Sequence, residues 1–221
     1  VIAFEQWPSI SPRGKVAAVA DFSRKSFWYN GGFSMTSTST QLAELHDILK
    51  MKSVQFGTFA LASGQISDVY VDCKPTTYDP KAMRLIGLLF LQKMEEKMWL
   101  PDAVGGLTMG ADPIAFTIAR ESLDRHPTID CFVVRKERKP HGMQKIVEGL
   151  EETQGRKVVI IDDVCTKGES TALAIENAKS VGMEILGAVC LIDRAAGATE
   201  LLRDKFGIEL ASIFKLSDFR E

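Results

Sequence analysis

The stretch KVVIIDDVCTKGES, residues 157–170, decides how this chain is read. Four β-branched residues at 158–161 follow a turn signal at Gly155, which predicts a short buried parallel strand. Asp162 and Asp163 stand at its carboxyl end. Thr166, Lys167, Gly168 and Ser170 then form a loop of small and polar residues, and a helical pattern runs over 171–181 to Gly182. Amides in such a loop and in the first helical turn lack intrahelical acceptors and meet the positive end of the helix dipole, so they suit a phosphate. Gly168 lets the backbone come close. Two carboxylates beside a phosphate would repel it unless they accept hydrogen bonds from sugar hydroxyls or hold a divalent cation. A phosphorylated ribose carrying its own Mg²⁺ meets both needs. The bland alternative, a strand ending in two solvated aspartates, is common for one Asp and less so for a pair followed by Thr, Gly and Ser. A Walker loop requires GxxxxGK[ST] and a dinucleotide fingerprint GxGxxG, and this stretch has neither.

Outward from this stretch, strand and helix patterns alternate. Strands are predicted at 103–107, 130–135, 158–161 and 185–192, with helices at 112–125 and 171–181. That alternation points to an α/β fold with a doubly wound parallel sheet, whose ligands bind at the carboxyl ends of the strands. Ahead of it, Leu42, Leu45, Ile48 and Leu49 recur at helical spacing behind a Thr cap at position 40, predicting a helix to about residue 52. Strands at 56–62 and 69–72, joined through Ser63-Gly64, complete a small N-terminal helix-plus-hairpin hood. Asp79-Pro80 starts a long helix to about residue 99, with Leu85, Ile86, Leu89, Phe90 and Met94 on its buried side. Residues 199–220 add a short helix, a strand near 210–214 and a terminal turn.

The composition narrows the function classes. A chain of 221 residues with 27 Lys and Arg against 29 Asp and Glu has a formal net charge of -2, so it carries no global basic field for nucleic acid. Any anion site has to be built locally. Cys73, Cys131, Cys165 and Cys190 show no CxxC spacing and read as reduced core thiols of a cytoplasmic protein, and three scattered histidines make no zinc cluster. No apolar run is long enough to span a membrane. Residues 1–39 show no sustained period, and their cations and serines only faintly suggest a transit peptide. They are expected to be a poorly structured extension to a domain at 40–221. Because Met35 opens a Ser/Thr tract before the first good helix, the expectation is a natural start at Met35, with read-through of upstream sequence before it.

Two more loops fall at the ligand end of the predicted sheet. GGLTMGADP at 105–113 is glycine-rich, and its backbone could line a ligand, although any tight turn after a strand uses glycines. RKERKPHGMQK at 135–145 is a charge run that leaves a strand and continues to about 152 without an apolar period, as a cationic lid would. Positive charge there fits a pyrophosphate leaving group. Asp193-Arg194, after the last predicted strand of the alternation, could present a guanidinium to a planar carboxylate or be a local surface pair.

Over roughly residues 42–220 these motifs resemble a known family. VVIIDDVCTKGES resembles the phosphoribosyl-pyrophosphate (PRPP) loop of type I phosphoribosyltransferases, VVRKERKPHG the mobile loop of the orotate phosphoribosyltransferases, and LIDR the segment before their orotate-binding arginine. The resemblance implies transfer of phosphoribosyl from PRPP to orotate, giving orotidine 5′-monophosphate and pyrophosphate for UMP synthesis. It also implies Mg²⁺ held mainly by PRPP and a homodimer in which each lid covers the neighbouring site. By position it implies Lys139, His141, Asp162 and Asp163 as catalytic, and Arg135, Lys136, Lys139 and His141 on the pyrophosphate side. Asp162, Asp163, Val164, Cys165, Thr166, Lys167, Gly168, Glu169 and Ser170 would hold PRPP, Thr166 and Arg194 would touch orotate, and Tyr70 and Val71 would lie along the base. Two departures stand out. Many members read LKSGR in the hairpin where residues 61–65 here read LASGQ, placing Ala62 and Gln65 at the lysine and arginine positions. A second family lysine falls at Met109-Gly110, in a GGLTxGADP version that resembles another branch. A purine-type phosphoribosyltransferase would share the PRPP loop but lack the RKxxKxHG run. A PRPP-fold regulator that binds RNA would need a separate basic surface.

Overall fold

Residues 37–60, 66–124, 127–137 and 145–220 are described by this computed structural model of the chain. The expectations for residues 1–36, including a start at Met35, for Ala62 and Gln65, and for Lys139 and His141 lie outside the described residues. In chain order the elements are α1 (Thr38–Lys52), β1 (Val54–Ala60), β2 (Ile66–Val71), α2 (Lys74–Thr77), α3 (Pro80–Glu96), β3 (Ala103–Leu107) and α4 (Asp112–Ser122). There follow β4 (Asp130–Val134), β5 (Val147–Glu148), β6 (Lys157–Cys165), α5 (Glu169–Ser180), β7 (Glu184–Asp193), α6 (Ala198–Phe206), β8 (Leu210–Lys215) and a 3₁₀ turn, Leu216–Phe219.

The main sheet runs β5-β4-β3-β6-β7-β8, and its last five strands are parallel. Taken by chain position, those five strands read 2-1-3-4-5, so the winding direction reverses between β3 and β6. Crevices for ligands open at that reversal, outside the carboxyl ends of the strands. The sheet is mixed rather than wholly parallel, because β5 pairs antiparallel to β4 through Val134–Val147 and Val133–Glu148. Residues 146–148 thus return to the sheet, with Ile146 and Val147 buried. Two residues are too few to show a period of two, which is why the sequence reads as loop there.

Strand alternation sends β6 side chains to two separate cores. Val159 and Ile161 pack with residues of α3 and α4 on one face, and Val158 and Ile160 with residues of α5 and α6 on the other. Burying each of these side chains contributes about 1.5–3 kcal/mol. Strand β6 is longer than predicted and includes both aspartates. The reason is β7, which stays alongside and pairs Asp162 with Cys190 and Cys165 with Asp193. Helix α3 starts as predicted, with Asp79 Oδ1 accepting from the amides of Lys81 (2.8 Å) and Ala82 (3.1 Å) and Pro80 in the first turn. Helix α1 is capped one turn earlier than expected, by Ser37, whose hydroxyl accepts from the Thr40 amide.

The hood is the antiparallel pair β1–β2, held to the chain's other end by an Asp68–Arg220 ion pair at 2.8 Å and by Arg220 lying over the Phe56 ring. All four cysteines are free, three of them buried. Among the described residues no helix is long and apolar enough to cross a membrane.

Candidate active site

The two aspartates of β6 point to opposite faces of the sheet. Asp162 follows Val158 and Ile160 toward α5, where it is 7% exposed. Its Oδ2 accepts from the Thr171 hydroxyl at 2.7 Å with the Cys165 thiol 3.9 Å away, and its Oδ1 accepts from the Asp163 amide at 3.0 Å. Burial pushes the Asp162 carboxyl up to about 7, against the lowering effect of the Thr171 hydrogen bond and with the neighbouring Asp163 charge adding to the rise. Asp163 follows Val159 and Ile161 to the other face and is only half-buried. Its Oδ1 accepts from the Val164 amide at 2.9 Å.

Beyond the acids, Val164 and Thr166 are half-buried, Lys167, Glu169 and Ser170 are exposed, and Gly168 is buried. Gly168 has φ 79°, and a Cβ there would come 3.0 Å from Ala198 Cα, so both conformation and space require glycine. The Cys165 side chain turns inward, its sulfur 3.2 Å from the Thr171 hydroxyl, so this residue offers the loop its backbone only. That carbonyl accepts from the Arg194 amide at 2.8 Å, and Asp193 Oδ1 accepts from the Ala195 amide at 2.8 Å. The exit of β7, carrying the half-buried Arg194, is thereby tied to the end of β6, where the 166–170 loop begins.

Across the reversal, the loop after β3 presses against the end of β6. A Cβ on Gly106 would lie 1.9 Å from the Ile161 carbonyl oxygen, and one on Gly110 would lie 2.5 Å from Asp163 Oδ1. These glycines are therefore steric requirements of the β3–β6 approach, with the Asp163 carboxylate resting on the Gly110 backbone. Thr108 donates to Asp112 Oδ2 at 2.7 Å, closing the same loop.

At the β4 exit, the Arg135 amide donates to the Ile146 carbonyl and its guanidinium pairs with Glu148 Oε1, both at 2.9 Å. The two roots of the 136–146 segment are thus latched together, and Lys136 is exposed beside them. An adjoining cavity of about 700 Å³ is lined by Thr108, Phe116, Arg135, Lys136 and Glu148 among others, and neither aspartate lines it.

On the hood side, Tyr70 is exposed with its ring 5.7 Å from Phe59, and Val71 is half-buried. Sequence reasoning missed Asp72 and Lys74, which follow directly. Lys74 Nζ lies 3.1 Å from Asp72 Oδ1. The only signal was their proximity to Tyr70 and Val71, since α2 is too short to show a period. No cluster of three or more His, Cys, Asp or Glu that would hold a metal occurs among the described residues. The acids near the cleft are hard oxygen donors, which suits a Mg²⁺ that keeps its waters and takes most of its ligands from phosphates.

Similarity to known proteins agrees with this layout. Residues 77–217 match the phosphoribosyl transferase domain. The chain is 42% identical over 178 residues to the orotate phosphoribosyltransferase of Aquifex aeolicus, covering 80% of this chain and 95% of that protein. It is 38% identical over 190 residues to that of Rhodopirellula baltica, covering 84% and 97%. The crystal structure of the Mycobacterium tuberculosis orotate phosphoribosyltransferase in complex with PRPP superposes with a TM-score of 0.68 at 33% identity, over 81% of this chain and 98% of that one. With the domain matched over 77–217 and relatives at about 40% identity covering four-fifths of its length, this chain belongs to the orotate phosphoribosyltransferase family.

Proposed function

We propose that this protein transfers the phosphoribosyl group of PRPP to orotate, forming orotidine 5′-monophosphate and pyrophosphate on the route to UMP. The observation that carries the reading is the meeting of the 166–170 loop, the Asp163 carboxylate and the glycine loop after β3 at the strand reversal. Displacing pyrophosphate from the anomeric carbon builds positive charge on the ribose and negative charge on the leaving group. The protein's work is then largely electrostatic and positional.

In this scheme the amides at the α5 N-terminus and Thr166 grip the 5′-phosphate, with Val164, Lys167, Gly168, Glu169 and Ser170 shaping the same pocket. Asp163, open to the cleft, takes the ribose hydroxyls and favours the cationic ring. Asp162, from the opposite face, orients the strand end that carries it. Arg194 meets the orotate carboxylate, and Tyr70 and Val71 lie along the base. Arg135, Lys136, Lys139 and His141 serve the pyrophosphate side. Mg²⁺ would arrive on PRPP and supply neutralisation of the pyrophosphate charge, and Asp163 would be available to help hold it. The working protein is a cytoplasmic homodimer whose lids serve neighbouring sites.

The test of the reaction is incubation with PRPP, Mg²⁺ and either orotate or adenine, following loss of each base. Consumption of orotate alone is expected, and consumption of adenine alone would move the protein to the purine class. The shared site is tested by co-refolding an Asp162→Asn/Asp163→Asn variant with Lys139→Ala. Random pairing makes half the dimers mixed, and one of the two sites in each mixed dimer is then intact, so about a quarter of all sites regain activity in a two-fold assembly. A lid that serves its own subunit predicts no recovery.

A further inference from the structure

The cleft assembled at the strand reversal is acidic before any ligand enters it. Asp163 is half-buried at the end of β6, and Asp72 follows the hood strand β2. The loop after β3 supplies no side chain at the closest point, because Gly110 has no room for one against Asp163 Oδ1. A tetra-anionic sugar phosphate entering such a space needs a cation on the hood side. Arg135 and the exposed Lys136 leave the sheet at the β4 exit, with Arg135 engaged by Glu148, and Lys167 belongs to the loop before α5, so none of them rises from the hood.

Resting on the reaction proposed above, we propose that Lys74 binds PRPP, its ammonium meeting the pyrophosphate oxygens from the hood side of the cleft. Lys74 opens α2 immediately after the strand that carries Tyr70 and Val71. Asp72 Oδ1 accepts both its backbone amide and its Nζ at 3.1 Å, which fixes the root and aims the stem. The side chain keeps 47% exposure, so its charge is not committed to the core. The hydrogen bond and then the charge of Asp72, with the Asp163 charge adding to them, hold the ammonium above its ordinary pKa against the lowering effect of burial. Cys73, its fully buried neighbour, has its thiol pushed up by burial first and then by Asp163, Asp72 and Asp162. The same acids thus bear on both Cys73 and Lys74, beside the Asp72 hydrogen bonds that fix the turn. An ammonium has three donors, so Lys74 keeps Asp72 while donating to a phosphate oxygen. A local Lys–Asp surface pair would have no reason to affect one substrate more than the other.

The experiment uses the full chain with Lys74→Ala and Lys74→Arg. Calorimetry measures binding of PRPP and of inorganic pyrophosphate, and initial rates measure kcat and the KM of each substrate. Loss of one charge-assisted hydrogen bond is expected to weaken both PRPP and pyrophosphate about tenfold or more and to raise the PRPP KM alike. The orotate KM stays within about twofold, and Lys74→Arg recovers most of the loss, since a cation remains. Unchanged affinity for PRPP and pyrophosphate in Lys74→Ala would overturn the proposal. So would an equal rise in both KM values together with a lowered Tm, which is the mark of a structural pair. A wild-type chain that binds PRPP but consumes no orotate would overturn the reaction instead, and the binding measurements would still decide Lys74.

Discussion

Two regions meet at the end of β6, and they treat the same side chain in opposite ways. On the α5 face, Asp162 is enclosed with Thr171 and Cys165 and lies beside Cys190 of β7, and burial raises its carboxyl to about 7. On the hood face, Asp163 rests on bare glycine backbone and opens toward Tyr70, Asp72 and Lys74. The residues are adjacent and chemically identical. What separates them is the period of two in a strand, which sends neighbours to opposite faces. One acid becomes part of the floor beneath the loop and the other becomes part of the cleft wall. A paired-acid motif therefore describes two positions with different surroundings.

The sharpest way to break this comparison is to neutralise each acid alone. Asp163→Asn should lower kcat by about 10²–10³-fold, about 2.7–4 kcal/mol on the barrier, with Tm nearly unchanged. If Asp162→Asn proves the more damaging to turnover, the assignment of wall and floor is reversed. Gly110→Ala comes next, because its Cβ would stand 2.5 Å from Asp163 Oδ1 and force the carboxylate aside. A displacement of this size should cost about 10²-fold in turnover while orotate and PRPP still bind. Steady-state rates beside equilibrium binding of both substrates read this directly.

On the floor the expected effects are on stability. Thr171→Val removes the hydroxyl bound to a buried carboxylate and should cost about 1–3 kcal/mol in denaturant unfolding. The pH dependence has a definite sign. Asp162 titrates near 3.8 when unfolded and at about 7 when folded, so between these values the folded state holds the extra proton. Its contribution to stability is full below the unfolded pKa, declines as pH rises through about 7, and is flat above. Wild-type stability relative to Asp162→Asn should therefore fall between pH 5 and 8, and a rise over that interval would show that the buried carboxyl is not protonated. The smallest effect belongs to the Arg135–Glu148 latch, whose side chains are 35% and 41% exposed. Glu148→Gln should cost at most about 1 kcal/mol and appear mainly as faster amide exchange at 146–148.

Much of this was legible beforehand because local chemistry carried it. The apolar runs of β3, β6 and β7, the Asp79-Pro80 start of α3, and the glycines at 168 and 182 are signals contained within a few residues, and the structure follows them closely. The same holds for the order of motifs that identified the family. The elements that escaped notice are short ones held by remote partners. Strand β5 exists because Val147 finds Val134, and α2 because Thr76 and Thr77 are buried, with Ser53 bonded to Thr76. The length of β6 was set by β7 running beside it.

By itself, then, the sequence determined the alternating α/β architecture, the loop chemistry at 162–170 and the family, since each depends on residue type at close spacing. Only the tertiary structure decided which aspartate faces the cleft, that Gly106 and Gly110 are steric necessities, and that Lys74 and Asp72 stand beside the site. Those facts depend on packing between segments far apart in the chain, as Gly106 meets Ile161 and Gly110 meets Asp163, and no local pattern records which face of a strand another segment will cover.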